Sequence, residues 1–368
     1  MKRTPVYNWH MAHGATMVAF NGWEMPLYYH GITEEHLHTR RSASLFDLGH
    51  MGRIAVHGQD SLDFINWLTP AAFNDAQPGD VFYSFLLDEA GHTIDDITIY
   101  VGRETQMLVV NAGNHDEALA WILEKAKGWK SITIEDKSFT WSMMALQGPS
   151  SGKIIMSLPD AESAKSLPYY KFMTFKKCDR WPEMIISATG YTGEHGYELY
   201  MPCDSALKVW EVLMDAGAGG IVAPAGLGAR DSLRLEAAMP LYGHELNNNT
   251  TPLEAGLRKF IDFKKSDFIG RDALCAVEQS GEPKQKLVGF EMNQRGPVPR
   301  PGMKVLSFTG EPLGEITSGI FSPTLQKNIG MAYITSPETK VGQEIHLDIR
   351  GRNYPAIIVK RPFYKRMK

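Results

Sequence analysis

The alternation of apolar and polar residues divides the chain into stretches of different texture. From residue 52, "GRIAVHG" alternates as a strand does, and "SLDFINWL" repeats Leu62, Ile65 and Leu68 at helical spacing. Strand patterns follow in "VFYSFLL", "TIDDITIYV" and "MLVVN", then a helix in "HDEALAWILEKA" and a strand in "SITIED". This order predicts a ferredoxin-like antiparallel sheet covered on one face. A comparable order recurs in "SMMALQG", a short helix, "EMIISATG", "YELYMP" and the amphipathic "SALKVWEVLMDAG", predicting a second sheet of similar plan. After the polar segment 278–286, the runs "LVGFEM", "MKVLSF", "GEITSGIF", "IGMAYI", "EIHLDI" and "PAIIVKR" are short and punctuated by Gly and Pro. They predict a small β-barrel. Upstream, Thr33 is placed as a helix N-cap with Glu34 and Glu35 in the first turn.

The fold class predicted is α+β in three domains. Residues 1–51 together with 138–277 form one α/β unit, 52–137 a second, and 287–368 the barrel, with 278–286 as linker. The composition changes little in this picture. Lys and Arg total 38 against 42 Asp and Glu, so no global field invites nucleic acid or an anionic membrane. Cys178, Cys203 and Cys275 lie far apart and form no CxxC pair, which fits a reducing compartment and gives no zinc signature. No apolar run approaches the ~20 residues of a membrane span, and "MKRTPVYNWHMAHG" lacks a signal peptide's apolar core. A cytoplasmic protein is expected.

Candidate chemistry begins at "DEAGHTIDDITIY", where two adjacent carboxylates head a strand. With "EAGH" as a four-residue hairpin loop, alternation puts Asp96, Thr98 and Tyr100 on one face with Tyr83 and Phe85 opposite. A carboxylate among aromatics can accept a proton or hold a flat heterocycle. The bland reading is an exposed strand end with both aspartates solvated. In "SATGYTGEHGYELY", Glu198 points inward or joins a surface pair. Arg230 and Arg234, one turn apart in "APAGLGARDSLRLEA", share a helix face and need an anion between them, either a structural carboxylate or a ligand's. "GLGARD" is not a dinucleotide fingerprint. The "HLH" at His36 and His38 aims two rings apart, so no metal is expected, and His50 and His92 are read as making local hydrogen bonds.

Together, "RTPVYNWHMAHGATMVAFNGWEMPLYY", "SLFDLGHMG", "IDDITIY", "TGYTGEHGYEL", "PAGLGARDSLRLEA", "YGHEL…TTPLEAGL", "FIGRDAL", "GEITSGIFSPTL" and "KRPFY" occur in order from end to end. By these motifs the chain resembles the aminomethyltransferase family, the T-proteins of the glycine cleavage system. The resemblance implies three domains around a central channel holding tetrahydrofolate. It also implies transfer of a methylene from the aminomethyl-loaded lipoyl arm of the H carrier protein to that folate, with release of ammonia. By the same resemblance, Asp96 is the catalytic carboxylate beside the pterin. Met51, Tyr83, Tyr100, Asn111, Tyr170, Tyr191, Glu198, Arg230 and Tyr364 line the folate site. Glu198 pairs with the pterin's donor edge and Arg230 serves an anionic part of folate or holds an acid. No metal, membrane or nucleic acid is implied. The chain departs from the family pattern at Ala188, where arginine is common, at Gly49, where serine is usual, and in "GHTIDD", where a second glycine is common. Two alternatives compete: a folate-dependent demethylase acting on a methylated sulfur or oxygen donor, and a non-catalytic folate-binding relative.

Overall fold

The computed structural model describes residues 1–366 apart from 159–160, 179–180, 293, 295 and 337. Two compact units emerge. The first comprises Met1–Ile65, Phe73–Tyr83 and Ile97–Asp231, the second Asn66–Ala72, Ser84–Asp96 and Ser232–Lys368.

In the first unit a six-stranded sheet runs in the order Phe172–Phe175, Met184–Ser187, Gly196–Pro202, Trp141–Gln147, Ala43–Asp47, Val222–Ala225. The helix Cys203–Ala216 buries Ala206, Val209, Trp210 and Leu213, the i, i+3, i+4, i+7 stripe that its sequence carries. These side chains join Leu45, Leu146 and Leu199 in one core. The last strand is parallel to Ala43–Asp47, with Ala225 opposite Phe46. Both strands therefore release their following segments at the same edge of the sheet, where open α/β sheets bind ligands. One segment is the loop 48–51 and the other leads into the helix Leu227–Glu236.

A five-stranded sheet follows the order Val81–Leu87, Thr93–Tyr100, Thr105–Val110, Gly52–His57, Thr133–Asp136. Its helices Ser61–Leu68 and His115–Lys125 lie where helical periodicity puts them. In the second unit the strands between Gln285 and Val359 close into a six-stranded barrel around Phe290, Val305, Ile334, Leu347 and Ile358. There too, the Lys265 ammonium donates to the carbonyls of Asn66, Thr69 and Ala71, which cluster at the carboxyl end of Ser61–Leu68. The Asn66 carbonyl, in the last turn, is among the groups a helix leaves without partners.

Two local expectations need correction. The helix over 32–41 starts after Gly31, so Thr33 lies within its first turn and makes no cap. Glu35 supplies the capping chemistry instead: its Oε1 accepts from the Tyr29 amide at 2.6 Å and the His30 amide at 3.1 Å, and its Oε2 accepts from the Gly226 amide at 2.9 Å. The hairpin is also tighter than a four-residue loop. The Asp88 amide donates to the His92 carbonyl at 3.0 Å and the Gly91 amide to the Asp88 carbonyl at 3.0 Å. Gly91 takes φ +79°, a left-handed conformation that glycine adopts without strain.

Candidate functional site

Glu198 sits mid-strand in Gly196–Pro202 and is buried, so the surface-pair reading of it fails. Its strand neighbour two residues on, Tyr200, shares its face, and Ser187 lies opposite it across the sheet. Two hydroxyls converge on one carboxylate oxygen. Thr189 Oγ1 donates to Oε2 at 2.5 Å and the Tyr100 hydroxyl lies 3.4 Å from the same atom. Burial first of all pushes the Glu198 carboxyl up from its ordinary range, with Thr189, Arg230 and Tyr100 opposing.

Tyr100 ends the strand that carries Asp96, and positions four apart share a strand face. Its hydroxyl also lies 2.7 Å from that of Tyr200 and 3.1 Å from Ser187 Oγ, and its ring meets Phe172 and Tyr200 edge-on. Arg230 lies one turn into Leu227–Glu236, with its guanidinium 4.6 Å from the centre of the Tyr191 ring. Tyr170 is held at φ +63°, uncommon for a bulky residue. Its amide donates to the Ala188 carbonyl at 3.0 Å, its ring stands edge-on to Tyr169, and it lies within electrostatic reach of Glu198 and Tyr100. The first unit thus gathers Tyr100, Tyr170, Tyr191, Glu198 and Arg230, none of which adjoin in sequence. Ala188 is itself buried at this place.

The remaining expected residues are placed as follows. Met51 is half-buried and closes the loop 48–51, its amide donating to the Leu48 carbonyl at 3.0 Å. Asn111 follows Thr105–Val110 and its carbonyl accepts from the Asn114 amide at 3.1 Å. Tyr83 is half-buried in Val81–Leu87. In the second unit, the Tyr364 amide donates to the Glu236 carbonyl at 2.8 Å. Asp95 is fully buried and Asp96 half-buried, so the solvated strand end does not occur.

The charge of Arg230 bears on Glu198. Arg234 turns to Glu245, within the second unit. His92 makes its local bonds, to Asp88. His50 does not: its Nδ1 is buried with no hydrogen-bond partner, and burial, then the Arg230 charge, push its imidazole down to about 3. Sequence reasoning passed over Ser187, Thr189 and Tyr200. Alternation puts Glu198 and Tyr200 on one face of their strand, but Ser187 comes beside Glu198 only through the pairing of two strands, and Thr189 follows the end of Met184–Ser187.

Residues 6–265 match the GCVT N-terminal domain and 285–365 the glycine cleavage T-protein C-terminal barrel domain. The chain belongs to the T-protein family of aminomethyltransferases. It is 42% identical to the aminomethyltransferase of Symbiobacterium thermophilum over 99% of this chain and 98% of the other. The Bacillus subtilis aminomethyltransferase is 40% identical over the whole of both chains. The crystal structure of the glycine cleavage aminomethyltransferase T from Bartonella henselae superposes with a TM-score of 0.90 at 31% identity, covering 99% of this chain and 98% of that one. As a T-protein the chain is a transferase. No described helix is long and apolar enough to cross a membrane.

Proposed function

We propose that this chain carries out the aminomethyl transfer of glycine cleavage, with tetrahydrofolate as acceptor and the lipoyl-bearing H carrier protein as donor. The full-length likeness to aminomethyltransferases carries this reading, and the chemistry of the Glu198 site fits it. Both hydroxyls beside the Glu198 carboxylate lie at Oε2, which leaves Oε1 to accept from the N–H edge of a pterin. Charge-assisted bonds of this kind suit a carboxylate. Tyr100, Tyr170 and Tyr191 supply aromatic surface for a flat ring system.

In the proposed reaction the carbon–sulfur and carbon–nitrogen bonds of the S-aminomethyl group break. Two carbon–nitrogen bonds form to the folate. Of the two folate N–H protons, one leaves with ammonia and the other ends on the lipoyl thiol. Asp96 holds the attacking nitrogen in line and takes up its proton, so most of the rate comes from orientation and general base catalysis. Arg230 offsets the charge of Glu198.

The test is to incubate the enzyme with tetrahydrofolate and aminomethyl-loaded H protein and to measure ammonia and 5,10-methylene-tetrahydrofolate. Stoichiometric appearance of both supports the proposal. Turnover with methylated sulfur or oxygen donors instead would assign the demethylase class, and folate binding without turnover the non-catalytic one.

A further inference from the structure

Four buried hydroxyls connect end to end behind Glu198. The Tyr200 and Tyr100 hydroxyls are 2.7 Å apart, Tyr100 and Ser187 3.1 Å, Ser187 and Thr189 2.6 Å, and Thr189 and Glu198 Oε2 2.5 Å. All five side chains are buried. Each hydroxyl has a single proton to donate. An ionised carboxylate only accepts, so with Glu198 ionised Thr189 gives its proton to Oε2. Thr189 then accepts from Ser187, Ser187 from Tyr100, and Tyr100 from Tyr200. This orientation uses every proton once; the Tyr100 proton goes to Ser187 Oγ at 3.1 Å, the nearer acceptor, rather than to Glu198 Oε2 at 3.4 Å. Protonating Glu198 removes the terminal acceptor that fixes this direction. At the far end, the buried Arg53 lies within electrostatic reach of Tyr200. Its positive charge favours the phenol oxygen turned toward it and the proton turned toward Tyr100.

We infer that Tyr200, Tyr100, Ser187 and Thr189 form a directional hydroxyl relay that sets the proton affinity of Glu198 and so couples its ionisation to ligand capture. The relay residues other than Tyr100 are positioning residues, acting on the ligand through Glu198. The inference rests on Glu198 being the ligand's carboxylate. The relay itself is a property of the free protein. Other groups bearing on Glu198 are Arg230 from Leu227–Glu236, which favours the ionised form, and the Tyr170 phenol. Aligned hydroxyls polarise one another, which strengthens the last bond of a series beyond that of an isolated pair. Removing the head of the relay therefore weakens the bond at its tail.

The experiment follows the buried carboxyl of Glu198 by its infrared C=O band, assigned by its loss in Glu198→Gln, while pH is varied in the ligand-free protein. Tetrahydrofolate affinity is then measured over the same pH range. Thr189→Val should raise the titration midpoint by about one pH unit or more, the worth of one bond to a charged group. Affinity should drop about tenfold below that midpoint. Tyr200→Phe should move both in the same direction by less, and Thr189→Ser should restore them. An unchanged midpoint in Thr189→Val, or a full-sized effect that Thr189→Ser fails to rescue, overturns the relay. A wild-type protein that titrates as described yet does not bind tetrahydrofolate overturns the proposed function and the ligand coupling, while the relay's effect on Glu198 is still decided by the infrared series.

Discussion

The Arg234 guanidinium donates to the Glu245 carboxylate at 2.8 Å, and neither side chain reaches solvent. The same guanidinium donates to Ser318 Oγ at 2.8 Å, and Glu245 accepts from the Leu241 amide at 3.0 Å and from Thr317 at 2.6 Å. Removing one member of such a pair leaves a buried charge without compensation. Glu245→Ala should cost about 3–5 kcal/mol of stability, read as a lower denaturant midpoint. Glu245→Gln, which keeps an acceptor oxygen, should cost less.

Asp47 anchors a second buried network. Its carboxylate accepts from Thr4 at 2.5 Å and from the Gly49 amide at 2.8 Å, and lies 2.9 Å from His10 Nε2. His10 Nδ1 in turn lies 2.8 Å from the Tyr29 hydroxyl. Burial alone would raise the Asp47 carboxyl, but the His10, Thr4 and Gly49 bonds together hold it below its ordinary range. A depressed folded value means the unfolded chain binds the proton first as acid is added. The stability Asp47 contributes is thus complete above the ordinary carboxyl range and is lost as pH falls through the folded value. Asp47→Asn should be markedly less stable than wild type at neutral pH, and the gap should close in acid. Thermal melts along a pH series check this.

Glu198 has the opposite sign. Its raised carboxyl favours the folded state below the ordinary carboxyl range, and that contribution is lost as pH rises toward the folded value. Glu198→Gln should flatten this slope and leave the protein at least as stable at neutral pH, while tetrahydrofolate binding weakens. A variant that is less stable than wild type at neutral pH yet binds folate with wild-type affinity would reverse both expectations.

Asp96→Ala should lower kcat by about 10²–10⁴, the range for one general acid–base group, and leave folate affinity nearly intact. The separation of kcat from affinity is the deciding measurement. Turnover near wild type would remove Asp96 from the chemistry.

Elements with a strong period were legible in the chain. The Trp210 stripe of Cys203–Ala216, the two helices of the five-stranded sheet and the alternating barrel strands follow from residue order alone. The elements not read were short and borrow their stability from pairing. Ala43–Asp47 is buried throughout and so shows no alternation, and Val222–Ala225 contains a proline that suits an edge. At the site, single residues such as Glu198 and Arg230 could be nominated by type and spacing. Their partners were a matter of sheet register: Ser187 opposite Glu198 is a pairing that no local pattern specifies. The divergence of Arg230 and Arg234 has a similar cause, since one turn of helix sets their spacing while distant chain supplies Tyr191 and Glu245.

Lys265 gives the second unit a built-in chemical clock. Its amine is shut in by three carbonyls at the end of Ser61–Leu68, so an acylating reagent meets it only when that helix end lets go. The rate at which this one lysine is modified, set against the many lysines on the surface, therefore reports how often the segment opens under native conditions, with no engineered label.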